Sequence, residues 1–344
     1  MEIKISSLRV TECGPLKDIR IDFIDKEKNI PQSVTVLGGA NGTGKTTILE
    51  LIFSLFDLFK FSPKTNFTSA GNLRAGILKQ TEYAELELFI DNEPCIVFFG
   101  KTENDLNLKN KHGIQCIVDE EGNEKWKMLS SGNIPEKINT SIKNLTKEPL
   151  DFPFFPYNQS KKYQIPTILY FPFRREILPV KGSQIYREQV NYKFNHRYQT
   201  NQTFEGSFES YLIWLDYADQ KTFELVIDFL NSINFGSKTF NISRRDLSVT
   251  VTTKDQRQHE LAKLSSGEQS ILILLLEIRR RITPGSIVLI DEIENSLHPE
   301  FQYRIANSLI QLQKEIPFQL LLTTHQHEFL KIFGQKYARI LTEF

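Results

Sequence analysis

Gly39-Ala40-Asn41-Gly42-Thr43-Gly44-Lys45-Thr46 brings three glycines, a lysine and a threonine together at the spacing G-x-x-x-x-G-K-[ST]. Glycines let backbone N–H groups come close to a polyphosphate, an ammonium neutralises its terminal charge, and a hydroxyl suits a hard divalent cation. Gly39, Asn41, Gly42, Gly44, Lys45, Thr46 and Thr47 are therefore candidate nucleotide-binding residues. Much further along, Asp291-Glu292 follows the apolar run Ile287-Val288-Leu289-Ile290. An acidic pair at a strand end is ordinary by itself, but beside a phosphate loop its members divide into two tasks. Asp291 joins Thr46 in holding a metal, and Glu292 deprotonates an attacking water. Ser265-Ser266-Gly267-Glu268 has two readings: a capping box that starts a helix, or an anion site at a helix N-terminus, with Ser265 and Gly267 as the contacts. His325 after Thr323-Thr324 supplies a titratable group at another strand end.

These residues need rigid elements to aim them. Ser33–Leu37 reads as a buried strand and Thr46–Phe53 as an amphipathic helix, the strand, loop and helix order a phosphate loop requires. Gln269–Arg281 is too long and too apolar for a surface strand and reads as a buried helix. Gln319–Thr324 reads as another strand. Tyr83–Ile90, Cys95–Phe99 and Ile114–Val118, separated by Asp91-Asn92 and Glu121-Gly122, predict a small antiparallel sheet. Asn133–Gln164, rich in Pro, Asn, Lys and Ser, predicts a mobile loop or a lobe boundary. Phe208–Ile233 predicts one long helix, and Thr167–Arg174 a strand ending in a cation.

Taken together the motifs resemble those of ABC-type P-loop ATPases in the RecF-like and SMC-like branch. Leu264–Glu268 resembles the signature motif, and Asp291–Pro299, ending Ser296-Leu297-His298-Pro299, resembles the Walker B segment and D-loop. His325 resembles the switch histidine, and Ile3–Val10 with Ile19–Phe23 resembles the opening strands. The resemblance implies an α/β ATPase head with a mixed sheet, an antiparallel β subdomain and an inserted helical lobe. It implies ATP and Mg²⁺ as ligands, Glu292 and His325 as catalytic residues, and Thr46 with Asp291 as metal ligands. It also implies a homodimer or higher homo-oligomer in which Ser265 and Gly267 meet the γ-phosphate held by another copy. Lys45 and Ser265 lie 220 residues apart, so residues 1–130 and 255–344 are expected to form the ATPase core and 131–254 the lobe. That lobe is not a coiled-coil arm, for which sustained heptads would be needed. No glutamine stands in the Thr167–Arg174 stretch where the family carries a Q-loop, and no Asn-Lys-x-Asp segment favours guanine over adenine.

Composition narrows the partners. Forty-two basic residues equal forty-two acidic ones, so whole-molecule charge argues for neither nucleic acid nor membrane. Between residues 161 and 200, however, eight Lys or Arg stand against two Glu, interleaved with eight Tyr or Phe. Such a mixture suits a nucleic-acid backbone and its bases as well as it suits a packed lobe with a solvated rim. Three cysteines, at 13, 95 and 116, have no metal spacing, and the chain start does not read as a signal peptide. No apolar run reaches membrane-spanning length. A cytoplasmic ATPase is expected, and the family resemblance implies that it acts as the sensor or motor subunit controlling a separate effector, for instance a nuclease. ATPase subunits of anti-phage systems such as Septu and PARIS work in this way. The alternatives are a DNA repair ATPase and the motor of a transporter.

Overall fold

The computed structural model describes residues 1–62, 65, 76–101, 109–118, 120–147, 165–188, 192–233, 238–295 and 297–341. The first strands are β1 (Ile3–Cys13), β2 (Leu16–Asp22), β3 (Ile24–Asp25), β4 (Ile30–Pro31) and β5 (Val34–Gly39), followed by helix α1 (Lys45–Asp57). Next come β6 (Thr81–Ile90), β7 (Glu93–Lys101), β8 (Lys111–Val118), β9 (Glu124–Ser131) and α2 (Asn133–Lys147). Strands β10 (Ile168–Phe171) and β11 (Asn195–Arg197) precede helices α3 (Phe208–Ala218) and α4 (Gln220–Ser232). The hairpin strands β12 (Thr239–Ser243), β13 (Ser248–Thr252) and β14 (Gln258–Glu260) lead to α5 (Ser266–Arg281). The chain ends in β15 (Ser286–Ile290), α6 (Pro299–Glu315), β16 (Phe318–Thr324), α7 (His327–Phe333) and β17 (Ala338–Leu341).

Two six-stranded sheets organise these elements. The sheet ordered β11-β10-β15-β16-β5-β17 is parallel at every pairing. Its inner strands are buried along their length (ILYF in β10, SIVLI in β15, FQLLLTT in β16), as expected where both faces are covered. The other, β2-β1-β6-β7-β8-β9, is antiparallel except where β7 runs parallel to β8. The predicted antiparallel pairing holds for β6 with β7, whereas β7 and β8 pair in parallel. Helix α1 touches β6 and β7 of this sheet and β5, β10 and β16 of the parallel one, so its apolar face joins both in one core. Gln319 stitches them as well. Its amide accepts from Ile5 N at 2.7 Å and donates to the carbonyls of Ile5 and Gln32, at 3.0 Å each.

Three further expectations are corrected. Residues 133–147 form a helix rather than a loop, because Ile134, Ile138, Ile142 and Leu145 recur at helical spacing and pack on the core while Asn133, Lys137, Lys143 and Asn144 are exposed. Asn139 fixes it by donating to Phe59 O and Phe61 O. The remainder of that stretch, 148–164, lies outside the described residues. The single helix over Phe208–Ile233 breaks at Asp219, whose backbone leaves the helical region (φ −146°, ψ 76°) and whose carboxylate caps α4 at Thr222 N. Finally, β10 and β11 come from within 131–254, so the expected insert contributes two strands to the parallel sheet rather than standing apart from it. Among the described residues no helix is long and apolar enough to cross a membrane.

Candidate nucleotide site

The strand order determines what meets. Strands β15, β16 and β5 are neighbours, with Ile290 opposite Leu322 and Thr323 and Thr324 opposite Leu37 and Gly38. Their carboxyl ends therefore present Asp291, Thr323-Thr324-His325 and the Gly39–Gly44 loop side by side, at the edge where open parallel sheets hold ligands. Gly44 caps α1 at φ +83°, and a Cβ there would stand 2.2 Å from Leu16 Cδ2. Both conformation and space demand glycine. At Gly39 a Cβ would meet Leu341 O at 2.7 Å, so β17 is packed too closely against the loop for any side chain.

Lys45 is buried and donates to Gly39 O (2.8 Å) and Ala40 O (2.6 Å). Burial pulls its ammonium below the usual lysine range, although Glu292, Glu294 and Asp291 pull the other way. Thr46 Oγ1 lies 2.9 Å from Asp291 Oδ2 and 3.1 Å from Oδ1, joining the loop to the acidic strand. Asp291 is fully buried and also accepts from Thr323 Oγ1 at 2.7 Å. Burial raises its pKa, while the hydroxyls of Thr323 and Thr46 draw it back down. This set of hard oxygen donors, one carboxylate and one hydroxyl, fits Mg²⁺, which takes few protein ligands and completes its shell with phosphate and water.

Glu292 stands beside Asp291 in the left-handed region, at φ +44°. For a residue with a side chain this costs about 1–3 kcal/mol and persists only when the surroundings hold it. They do so on both sides. Its N–H donates to Thr323 Oγ1 at 2.7 Å, and its carbonyl accepts from Asn295 N at 2.9 Å and from Arg175 Nη2 at 2.8 Å. Its carboxylate Oε1 lies 3.5 Å from His325 Nε2. The other ring nitrogen of His325, Nδ1, lies 3.1 Å from Gly39 O. A carbonyl only accepts, so Nδ1 carries a proton and Nε2 faces the glutamate. One imidazole thus spans the phosphate loop and Glu292. Glu294 receives the His325 backbone N–H at 2.5 Å, which anchors the histidine from behind.

Ser265 caps α5 in a full capping box. Its hydroxyl and N–H donate to Glu268 Oε2 and its oxygen accepts from Glu268 N. Ser265 and Ser266 are exposed, and among the described residues no hydrogen bond joins Ser265 or Gly267 to the Gly39–Thr46 loop. Asn41 and Gly42 are exposed and Thr47 is half-buried. Ser296 lies outside the described residues. His298 and Pro299 start α6, where His298 caps and Pro299 takes the first helical position.

Sequence reasoning missed the parts played by Arg175 and Thr323. Arg175 was counted among the surface cations, yet it is 6% exposed and donates to Ser270 Oγ, Pro172 O, Asp291 O and Glu292 O at 2.6–2.9 Å. Burial lowers its pKa to about 10, so it keeps its charge at neutral pH. A signal existed: a cation directly after a fully apolar strand sits at the edge where the ligands converge. The basic, aromatic stretch is correspondingly no continuous strip. Arg197 forks onto Glu50 at 2.6 and 2.7 Å, Tyr170, Phe171, Tyr192 and Phe194 are in the core, and Lys161 and Lys162 lie outside the described residues.

A cavity of about 500 Å³ opens beside the loop, lined by Gly39, Ala40, Asn41, Thr324, His325 and Leu341. A larger one of about 580 Å³ lies between α1 and α5 at the β11 edge. The smaller is the candidate, because the phosphate-loop residues Gly39, Ala40 and Asn41 line it together with His325.

Residues 114–331 match a family described as "AAA domain, putative AbiEii toxin, Type IV TA system". The matched range holds Ser265, Asp291, Glu292 and His325 and begins after the phosphate loop, which stands on its own spacing and geometry. The "Retron Ec83 probable ATPase" of Escherichia coli is 35% identical over 119 residues, which are 31% of this chain and 21% of that protein. The "Retron Vc95 probable ATPase" of Vibrio cholerae serotype O1 biovar El Tor is 24% identical over 386 aligned positions, covering 94% of this chain and 71% of that protein. The chain thus spans about a fifth of the first relative's length and seven-tenths of the second's. Among solved structures, the "SMC head domain from Thermotoga maritima" has a TM-score of 0.44 at 15% identity, over 96% of this chain and 92% of that one.

Proposed function

The chain belongs to this AAA-domain family, and we propose that it is an ATPase that binds ATP with Mg²⁺, closes as a dimer around the nucleotide and controls a separate effector in anti-phage defence. The observation that carries the hydrolytic reading is the joining of three strand ends, with Thr46 on Asp291 and His325 between Gly39 and Glu292. Lys45 gives up its loop carbonyls to bind the phosphate oxygens, a charge-assisted exchange. Thr46 and Asp291 would hold Mg²⁺, which would supply positive charge to offset that of the phosphoryl group. Glu292 accepts the proton of the attacking water, and His325, linked to both the loop and Glu292, reports the terminal phosphate to the base. The exposed, pre-capped N-terminus of α5 supports the two-copy reading: Ser265 and Ser266 face solvent, where a nucleotide held by a second chain can meet the helix end, with Gly267 buried directly behind them. Similarity to two retron ATPases supports the defence role over DNA repair or transport.

Complementation tests the composite site. Lys45→Ala and Ser265→Arg are each expected to be inactive alone, and a subunit-exchanged mixture should regain turnover at the one site with an intact loop and an intact α5 end. Full activity of either single variant as a monomer in light scattering refutes the shared site. For the defence role, co-expression with the products of adjacent genes should yield a stable complex; a chain that confers phage protection alone would refute the separate effector.

A further inference from the structure

We propose that Arg175 is a positioning residue that transmits the state of the α5 N-terminus to Glu292, the inferred base. This deepens the shared-site reading and rests on it. The guanidinium is buried and uses all three of its nitrogens on different elements: Nε on Ser270 Oγ of α5 (2.9 Å), Nη1 on Pro172 O (2.9 Å) and Asp291 O (2.6 Å), and Nη2 on Glu292 O (2.8 Å). Ser270 lies one helical turn beyond Ser266 and Gly267, on a helix stiffened by its capping box and buried along nearly its whole length. The segment that carries Arg175 is clamped to the same helix a second time, because Ile177 N donates to Gln269 Oε1 at 2.8 Å. Gln269 in turn donates to Ala262 O and Leu264 O, so the clamp continues into the turn before Ser265.

At its other end the fork grips the two carbonyls that fix the direction of Asp291 and Glu292. Glu292 is the one that matters, since its backbone is in the left-handed region and returns to an ordinary conformation unless its carbonyl and N–H are both held. Thr323 holds the N–H from β16, and Arg175 reaches the carbonyl from the side of α5. A phosphate on Ser265 and Gly267 that shifts α5 along its axis therefore moves a rigid planar group bonded directly to the peptide of Glu292. Lysine could keep the charge but not the fork, having one tetrahedral nitrogen where three divergent donors are needed.

The test compares wild type, Ser270→Ala, Arg175→Lys, the double variant and Ser265→Arg as a reference, by ATP affinity in calorimetry, kcat at saturating Mg²⁺ and ATP, and thermal midpoint. Ser270→Ala and Arg175→Lys should each bind ATP within about threefold of wild type and lose about 10–100-fold in kcat, the size expected when a reacting group is displaced by a fraction of an ångström to an ångström. The double variant should be no slower than Arg175→Lys, since both lie on one link. Wild-type kcat in Ser270→Ala, with Ser265→Arg inactive, overturns the link and leaves the shared site standing; full activity of Ser265→Arg overturns the shared site itself. Should Arg175→Lys fail to fold, Ser270→Ala decides alone, and a fall in ATP affinity matching its fall in kcat makes the contact merely structural.

Discussion

Replacing Thr323 by valine keeps the outline of the side chain and removes one hydroxyl, which donates to Asp291 Oδ1 at 2.7 Å and accepts from Glu292 N at 2.7 Å. Two effects follow, and their magnitudes separate them. A hydrogen bond to an ionised group contributes about 1.5–3 kcal/mol, and one pH unit corresponds to about 1.4 kcal/mol. Thr323 stabilises the charged form of Asp291, whose pKa burial already raises, so its loss raises that pKa further. Thr46 continues to donate, which limits the rise. Because a metal-holding carboxylate must be ionised, the acid limb of the pH profile of kcat/KM should move to higher pH, with the plateau at high pH less affected. The second effect is on stability. The Glu292 N–H is left buried without its acceptor, at about 1–3 kcal/mol. Unfolding entropy of about 2.1 cal/mol/K per residue over 344 residues is about 0.7 kcal/mol/K, so a total loss near 3 kcal/mol lowers the thermal midpoint by about 4 °C. Thr323→Ser restores the hydroxyl and should restore the acid limb. A valine variant with a lowered midpoint but an unmoved acid limb would refute the assignment of Asp291 as a metal ligand tuned by Thr323.

Glu292→Gln should keep ATP affinity and lower turnover about 10²–10⁴-fold, the usual loss for a positioned base; normal turnover in a single-turnover assay removes Glu292 from that role. Lys45→Ala should abolish ATP binding in calorimetry, because the loop loses its charge, and undiminished affinity would contradict the phosphate assignment. His112 is fully buried between Leu58 O (2.8 Å) and Ser130 Oγ (3.0 Å), and burial lowers its pKa from 6.5 to about 4. The unfolded chain protonates first, so His112 contributes stability present above about pH 6.5 and lost as the pH falls toward 4, at about 1.4 kcal/mol per pH unit. Urea denaturation of His112→Gln should show a slope shallower by about that amount between pH 4 and 6.5, and an unchanged slope would show that His112 does not titrate in this way.

The chemistry-bearing residues were legible because each depends on local covalent spacing. A phosphate loop needs glycines, lysine and threonine at fixed offsets between a strand and a helix, and those elements stand at Val34–Gly39 and Lys45–Asp57. The capping box at Ser265 and the buried strands ending at Ile290 and Thr324 are local in the same sense, set by period and by neighbouring side chains. Where the sequence misled, a non-local contact decided. Asn133–Lys147 is polar in composition and became a helix because one face meets the core. Phe208–Ile233 is the exception, helical in pattern and broken by a local contact, since Asp219 caps α4 at Thr222 N three residues on. Strand order is invisible in spacing, so nothing along the chain could tell that β16 lies between β15 and β5, or that Thr323 therefore reaches both Asp291 and Glu292. Arg175 illustrates the limit most plainly. Beside Arg174 the two are the same residue type one position apart, yet Arg174 is exposed and Arg175 buried, because only the latter finds carbonyl and hydroxyl acceptors converging from the β15 end and α5. A buried cation is stable only where such acceptors meet, and their meeting is a property of the packed elements.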